Sequence, residues 1–217
     1  KGGYEEILSA FANGEADILI GTQMIVKGHD FPNVTLVGVL AADLSLHISD
    51  YRAAERTFQL LTQAAGRAGR GHRQGEVVIQ TYQPEHYSVV TAAEQDYKAF
   101  FEQEIFLREM MHYPPKWHML VIHAAGAQEM LVKQAQDVLK YKILTQSDNE
   151  KSSLQVIGPA DAAVSKVNDI YRKMLYAKAA DYQKLVSIKN MLEEYIRIDP
   201  AFRNVNIQFD FDPMNGF

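Results

Sequence analysis

Tyr4, Ile7, Leu8 and Phe11 repeat at i, i+3, i+4 and i+7, the apolar stripe of an amphipathic helix. Asn13-Gly14 supplies its C-terminal turn. That helix opens almost at the first residue, with neither cap nor preceding strand, and the expectation is a chain cut from within a larger protein. The pattern then switches to short continuous apolar runs: a buried strand over 17–21 around Ile18, Leu19 and Ile20, a second over 35–40 and a third over 76–81. A helical segment over 51–65 lies between the second and third. Apolar strands alternating with helices predict a parallel sheet covered on both faces. A long helix over 88–111 follows and is stopped by Pro114-Pro115, taken as the domain boundary.

Beyond the prolines the periodicity predicts a strand over 118–125, a helix over about 127–144 and a polar loop over 145–153. Strands over 154–164 and 169–178 follow, joined by a turn at Asn168-Asp169. A helix over 181–196 then places Leu185, Ile188, Leu192 and Tyr195 on one face, before a last strand over 204–211. This βαββαβ order predicts a split, ferredoxin-like α+β domain. The expected organisation is therefore an α/β domain over 1–114 and an α+β domain over 115–217.

Composition changes this picture little. The 217 residues are 47% hydrophobic and 23% charged, as in ordinary globular chains. No apolar run reaches the roughly 18 residues that span a bilayer, no segment reads as a signal peptide, and a cytoplasmic home is expected. Cysteine is absent, which removes disulfides and thiolate metal sites from these residues. The net charge of -5 argues against a uniformly basic nucleic-acid binder but leaves room for a local basic face.

Two motifs carry candidate chemistry. The first, Gly21-Thr22-Gln23-Met24-Ile25-Val26-Lys27-Gly28-His29-Asp30-Phe31, sits where the first expected strand ends. Ligands of open α/β sheets bind at the carboxyl ends of strands. A glycine beside a small hydroxyl residue there lets backbone and side chain approach a phosphate. Asp30 is suited to a ribose hydroxyl or a cationic side chain. The second, Gln63-Ala64-Ala65-Gly66-Arg67-Ala68-Gly69-Arg70, places two arginines three apart on one side of a helical turn. Arginine grips phosphate with paired hydrogen bonds. Aimed at a γ-phosphate, it stabilises charge developing in phosphoryl transfer by about 10³–10⁵ in rate. Each motif alone also fits a plain turn.

Together, in this order on one α/β unit, they resemble motifs V and VI of superfamily 2 helicases. The wording is closest to the PriA family (primosomal protein N′). The resemblance is carried by Gly-Thr-Gln-Met-Ile-Val-Lys-Gly-His-Asp-Phe-Pro (21–32), Asp-Tyr-Arg-Ala-Ala-Glu-Arg (50–56), Gln-Ala-Ala-Gly-Arg-Ala-Gly-Arg (63–70), Gly-Glu-Val-Val-Ile-Gln-Thr (75–81) and Arg-Glu-Met-Met-His-Tyr-Pro-Pro (108–115). It implies that residues 1–114 are the second RecA-like lobe of a 3′→5′ DNA helicase used in replication restart. It assigns DNA contact to Gly21 and Thr22, and nucleotide contact to Gly28 and Asp30. Gln63, Arg67 and Arg70 fall to catalysis, with Arg70 as the arginine finger. Arg52, Glu55 and Arg56 match a segment beside the site, and fit ion pairs on a helix surface equally well. ATP and Mg²⁺ would be shared with another lobe, since the chain has neither a G-x-x-x-x-G-K-[ST] loop nor an acidic Walker B pair. Zinc belongs to the full-length protein only, so these residues are expected neither to bind it nor to hydrolyse ATP alone. Branched or single-stranded DNA, primosome proteins and single-strand-binding proteins are the implied partners, with no membrane.

In the second domain Lys166, Arg172, Lys173 and Lys178 interleave with Tyr171 and Tyr176, a pattern that suits phosphate contact and base stacking. Alternation puts Arg172 and Lys178 on one strand face, as candidate DNA contacts, and Lys173 on the other. Asp161, Asp169, Asp210 and Asp212 dilute that basic character. His118 and His123 are an odd number of positions apart on one strand, point to opposite faces, and do not suit a shared metal. Two other readings remain: a DNA- or partner-binding adaptor with degenerate motor motifs, and the second lobe of another superfamily 2 translocase acting on RNA or chromatin.

Overall fold

The computed structural model describes residues 2–22, 25, 31–69, 74–146 and 154–214. They fall into two compact units, Lys1–Gln103 and Glu104–Phe217, a division inside a helix ahead of Pro114-Pro115. No described helix is long and apolar enough to cross a membrane.

The first unit opens with α1 (Gly2–Ala12), whose Leu8 is buried and whose Phe11 meets the edge of Phe31 at 5.0 Å. Strand β1 (Leu36–Val39) then runs parallel to β2 (Glu76–Ile79), from Leu36 opposite Glu76 to Val39 opposite Ile79. Helix α2 (Ala53–Ala65) connects them, and α3 (Tyr87–Glu94) and α4 (Tyr97–Met110) follow. The core gathers Phe58 and Leu61 of α2, Val89 and Ala92 of α3, Phe100 of α4, and Ala42 of a short 3-10 turn, Ala42–Ser45. Phe58 and Phe100 stack at 4.2 Å with planes 13° apart, and Tyr87 stacks on Phe100 at 5.9 Å.

Three expectations are corrected here. Residues 17–21 are not a strand: Ile18 and Ile20 are 77% and 86% exposed. A strand exists through a neighbour's backbone, and among the described residues none pairs with this run. Among the described residues the parallel sheet is not covered on both faces. Val39 and Ile79 pack on the helical core, while Leu36 and Val78 point away and stay exposed. The single helix expected over 88–111 is two. Gln95 adopts φ 54° and closes α3, and the Asp96 carboxylate accepts the Ala99 N–H at 2.9 Å to start α4. The apolar rhythm runs through the break, which is why periodicity alone reads it as continuous.

The second unit follows the order β3 (His118–Gly126), α5 (Glu129–Gln146), β4 (Leu154–Val167), β5 (Ile170–Ala179), α6 (Tyr182–Ile198) and β6 (Asn206–Phe211). The four strands form one antiparallel sheet in the order β4-β5-β3-β6. Strand β4 is longer than expected and carries two register shifts against β5, between Ile157 and Ala160 and between Asp161 and Lys166. Alternation sends Leu120, Ile122 and Ala124 of β3 and Leu175, Ala177 and Ala179 of β5 to one face. There they meet Val132, Leu139 and Ile143 of α5 and Leu185 and Leu192 of α6. Inside this core the Gln136 amide donates to the carbonyls of Ile122 and Lys173, at 2.8 and 3.1 Å, pinning α5 across two adjacent strands.

Candidate functional site

The turn that follows α2 carries the second motif. Gly66 caps the helix, its N–H bonded to Thr62, and residues 66–69 form a hydrogen-bonded turn. Gly69 adopts φ 70°, so the chain leaves the helical path between Arg67 and Arg70. A glycine suits this left-handed position, and the expected i, i+3 relation of the two arginines involves Arg70. Gln63 is exposed on the last turn of α2 and Arg67 is half-buried in the turn itself. Arg70 lies outside the described residues.

This turn is tied to the sheet by backbone. The Gly69 N–H donates to the Val34 carbonyl at 3.0 Å, and one step along, the Glu76 N–H donates to the Thr35 carbonyl at 2.8 Å. Both acceptors immediately precede β1, and Gly75 immediately precedes β2. The arginine-bearing turn thus sits at the amino ends of β1 and β2. The helix between parallel strands runs back toward their start, so its C-terminal residues arrive there. The first motif leads into the same ends. Gly21 and Thr22 are exposed, and the Ile25 N–H bonds the Thr22 carbonyl at 3.1 Å. Gly28 and Asp30 lie outside the described residues.

The opposite ends of the strands are closed by a carboxylate. Asp43 is buried. Its two oxygens accept the Thr81 hydroxyl at 2.6 Å and the Tyr82 N–H at 2.9 Å, and those hydrogen bonds hold its carboxyl below the usual carboxylate range. Sequence reading missed Asp43; nothing local distinguishes it, since its partners are 38 and 39 residues away. The start of α2 is fixed by Asp50, which accepts from the Arg52 N–H at 2.9 Å and pairs with Arg52 Nε at 3.3 Å and Arg56 Nη2 at 2.9 Å. Glu55 accepts from Gln59 at 3.1 Å. The segment beside the motif thus contains intrahelical and helix-start pairs that orient α2.

In the second unit the alternation of β5 is as expected. Lys173 turns to the helical side, where it pairs with Asp161 at 2.6 Å and Glu129 at 3.1 Å. Arg172 is exposed on the other face. Lys178 shares that face but is 4% exposed. Its ammonium lies 3.4 Å from the Tyr113 ring centroid and 3.5 Å from the Met111 carbonyl oxygen, and burial pushes its pKa down to about 8. Lys178, expected as a DNA contact, is thus covered by the 111–117 segment and not presented at the surface of the sheet. Lys166 pairs with Asp169 at 2.8 Å and lies over Tyr171 at 4.8 Å. Beneath the segment's start, Arg108 pairs with Glu104 at 2.6 Å and reaches the Pro114 carbonyl at 3.4 Å. His118 pairs with Asp212 at 3.1 Å beside the Tyr182 ring, while His123 turns to the opposite face, where burial lowers its pKa.

Among the described residues a two-stranded parallel α/β unit bearing a Gly-Arg-Ala-Gly turn is followed along the chain by an antiparallel α+β unit, and the first of these is a helicase C-terminal lobe by its family match. Residues 2–72 match the helicase conserved C-terminal domain, and residues 109–214 match the primosomal protein N C-terminal domain. The chain belongs to the PriA family of replication restart proteins. It is similar to the replication restart protein PriA of Bacillus subtilis (strain 168), 40% identical over 98% of this chain and 26% of that protein. Similar proteins of the same name occur in Synechocystis, at 39% identity over 99% of this chain and 25% of the relative, and in Chlamydia pneumoniae, at 37% over 100% and 28%. The chain thus spans about a quarter of the length of these relatives.

Proposed function

We propose that the chain is the second motor lobe and DNA-contacting accessory domain of an ATP-dependent 3′→5′ DNA helicase that restarts replication in the bacterial cytoplasm. What carries the reading is the Gly69–Val34 hydrogen bond, which seats the Gln63–Arg67 turn beside the residues that lead out of the first motif. An amide and a guanidinium at one edge of a lobe are a donor set suited to polyphosphate oxygens. Gln63 orients, while Arg67 and Arg70 meet the γ-phosphate across a cleft and stabilise the charge that develops there. Gly28 and Asp30 contact the nucleotide, and Gly21 and Thr22 pass lobe movement to the DNA backbone. ATP with Mg²⁺, bound mainly by the other lobe, supplies the phosphoryl group whose loss drives the cycle. Zinc is held by other parts of the full-length protein. The βαββαβ order with strands β4-β5-β3-β6 supports a ferredoxin-like reading of the second unit. Its exposed Arg172 is the cation offered to branched DNA. Primosome and single-strand-binding proteins are the partners this role calls for.

The test is Arg70→Ala in the full-length protein. The expected result is a loss of DNA-stimulated ATP hydrolysis and unwinding on the order of 10³-fold; unwinding at the unmodified rate rejects the assignment. DNA-stimulated ATP hydrolysis by the 217-residue chain alone rejects the division of the site between lobes.

A further inference from the structure

We propose that Gly75 is a positioning residue for Arg67. The inference rests on the reading of Arg67 and Arg70 as γ-phosphate sensors and adds what holds Arg67 in register. Two backbone contacts fix the turn. On one side the Gly69 N–H is bonded to the Val34 carbonyl at 3.0 Å. On the other, the Gly75 backbone lies directly against it. A Cβ on Gly75 would fall on the Gly69 nitrogen and the Ala68 carbonyl carbon, and 2.7 Å from the Ala68 Cβ. Two of these three are main-chain atoms, so no side-chain rotation makes room. Gly75 stands one residue ahead of β2, whose Glu76 N–H is bonded to the Thr35 carbonyl, so the strand cannot simply retreat. The turn itself must shift. Arg67 immediately precedes Ala68 in that turn and would move with it.

Glycine is thus required at position 75 for close approach between two chain segments. The consequence is specific, because a sensing arginine acts only when its guanidinium meets the transferring group. Displacement by about 1 Å costs on the order of 100-fold in rate, and it costs affinity for ATP more than for ADP, which lacks the phosphate being sensed.

The experiment compares full-length Gly75→Ala, Arg67→Ala and Arg70→Ala with the unmodified protein. Its readouts are kcat and KM for DNA-stimulated ATP hydrolysis, the ratio of ATP to ADP affinity, and the folded fraction. The expected result for Gly75→Ala is a folded protein with kcat reduced about 10- to 100-fold and a reduced preference for ATP over ADP. Unchanged kcat and preference in Gly75→Ala, with both arginine variants inactive, overturns the positioning role and leaves the arginine reading intact. Normal activity in both arginine variants overturns that reading and the present inference with it. A kcat that falls only in proportion to the folded fraction, with the ATP preference kept, makes Gly75 structural and also overturns the proposal. Should Gly75→Ala fail to fold, hydrogen exchange in the unmodified protein decides: the Gly69 amide is expected to be protected, and exchange at the rate of an open loop overturns a turn held in register.

Discussion

The ammonium of Lys178 lies 3.4 Å from the centroid of the Tyr113 ring, and that ring stands where water would otherwise solvate the charge. The ring face favours the cation, but desolvation outweighs it, since the pKa falls from 10.5 to about 8. Lys178 therefore belongs to the packing of the 111–117 segment against the sheet.

Its protonation makes stability depend on pH in a defined direction. Below about pH 8 the lysine is charged both folded and unfolded, and its burial penalty is fully present. Between about 8 and 10.5 the unfolded chain holds the proton more often than the folded one, so stability attributable to this group rises with pH. Lys178→Met removes the contribution. Melting temperatures at pH 7 and pH 10 are expected to show the unmodified protein gaining on the variant at the higher pH. A difference between the two proteins that stays constant with pH would refute the buried-ammonium account.

Asp43 titrates in the opposite sense. Its carboxyl is held below 3.8 first by the Thr81 hydroxyl and then by the Tyr82 N–H. The stability it contributes is complete above pH 3.8 and is lost as pH falls through the depressed folded value. Asp43→Asn is expected to melt lower than the unmodified protein at pH 6, with the gap narrowing at pH 3. Equal melting temperatures at pH 6 would show that the clamp between the ends of β1 and β2 contributes nothing.

These two residues also mark how far the sequence could be read. Strands β1, β2, β3 and β5 and helices α2, α5 and α6 follow from periodicity because each is set by its own apolar positions. The fate of residues 17–21 does not: Ile18 and Ile20 have the composition of a strand, and pairing is decided by neighbours. The break at Gln95-Asp96 escaped because a left-handed residue and a capping carboxylate act over three positions, too short to disturb the helical rhythm. At the site, Gln63 and Arg67 were legible from the motif, but the seating of their turn at the amino ends of the strands was not, since it depends on the Gly69–Val34 bond. The burial of Lys178 was not legible because alternation reports which face a residue is on and not what covers that face. The covering ring, Tyr113, is 65 positions earlier in the chain.

The two faces of α5 give a test of the second core. Leu139 is fully buried among the sheet and helix residues, whereas Tyr141, two positions on, is 65% exposed. Leu139→Ala is expected to destabilise the unit by about 2–5 kcal/mol through lost burial and a residual cavity. Tyr141→Ala should change stability by about 0.5 kcal/mol or less. The chain has one tryptophan, Trp117, stacked on His112 at 3.9 Å, so urea unfolding followed by its fluorescence reports on this unit. Similar losses from the two variants would contradict the packing of α5.

Arg172 and Lys178 share a face of β5 yet differ in what they offer to DNA. Arg172 is exposed, so its guanidinium is available to a phosphate, and each phosphate contact releases counterions. Removing one contact lowers the slope of log affinity against log salt by about 0.7 for a single strand and about 0.9 for duplex. Arg172→Ala is expected to produce that loss on forked DNA, with weaker binding at every salt concentration. Lys178→Met should leave the slope unchanged, because a side chain beneath Tyr113 displaces no counterion from the DNA. Measuring both variants over 50–200 mM salt separates a structural lysine from a phosphate contact. If Lys178→Met lowers the slope as Arg172→Ala does, the lysine reaches DNA and the 111–117 segment must move aside on binding. If neither variant does, this face of the sheet is not the one that DNA uses.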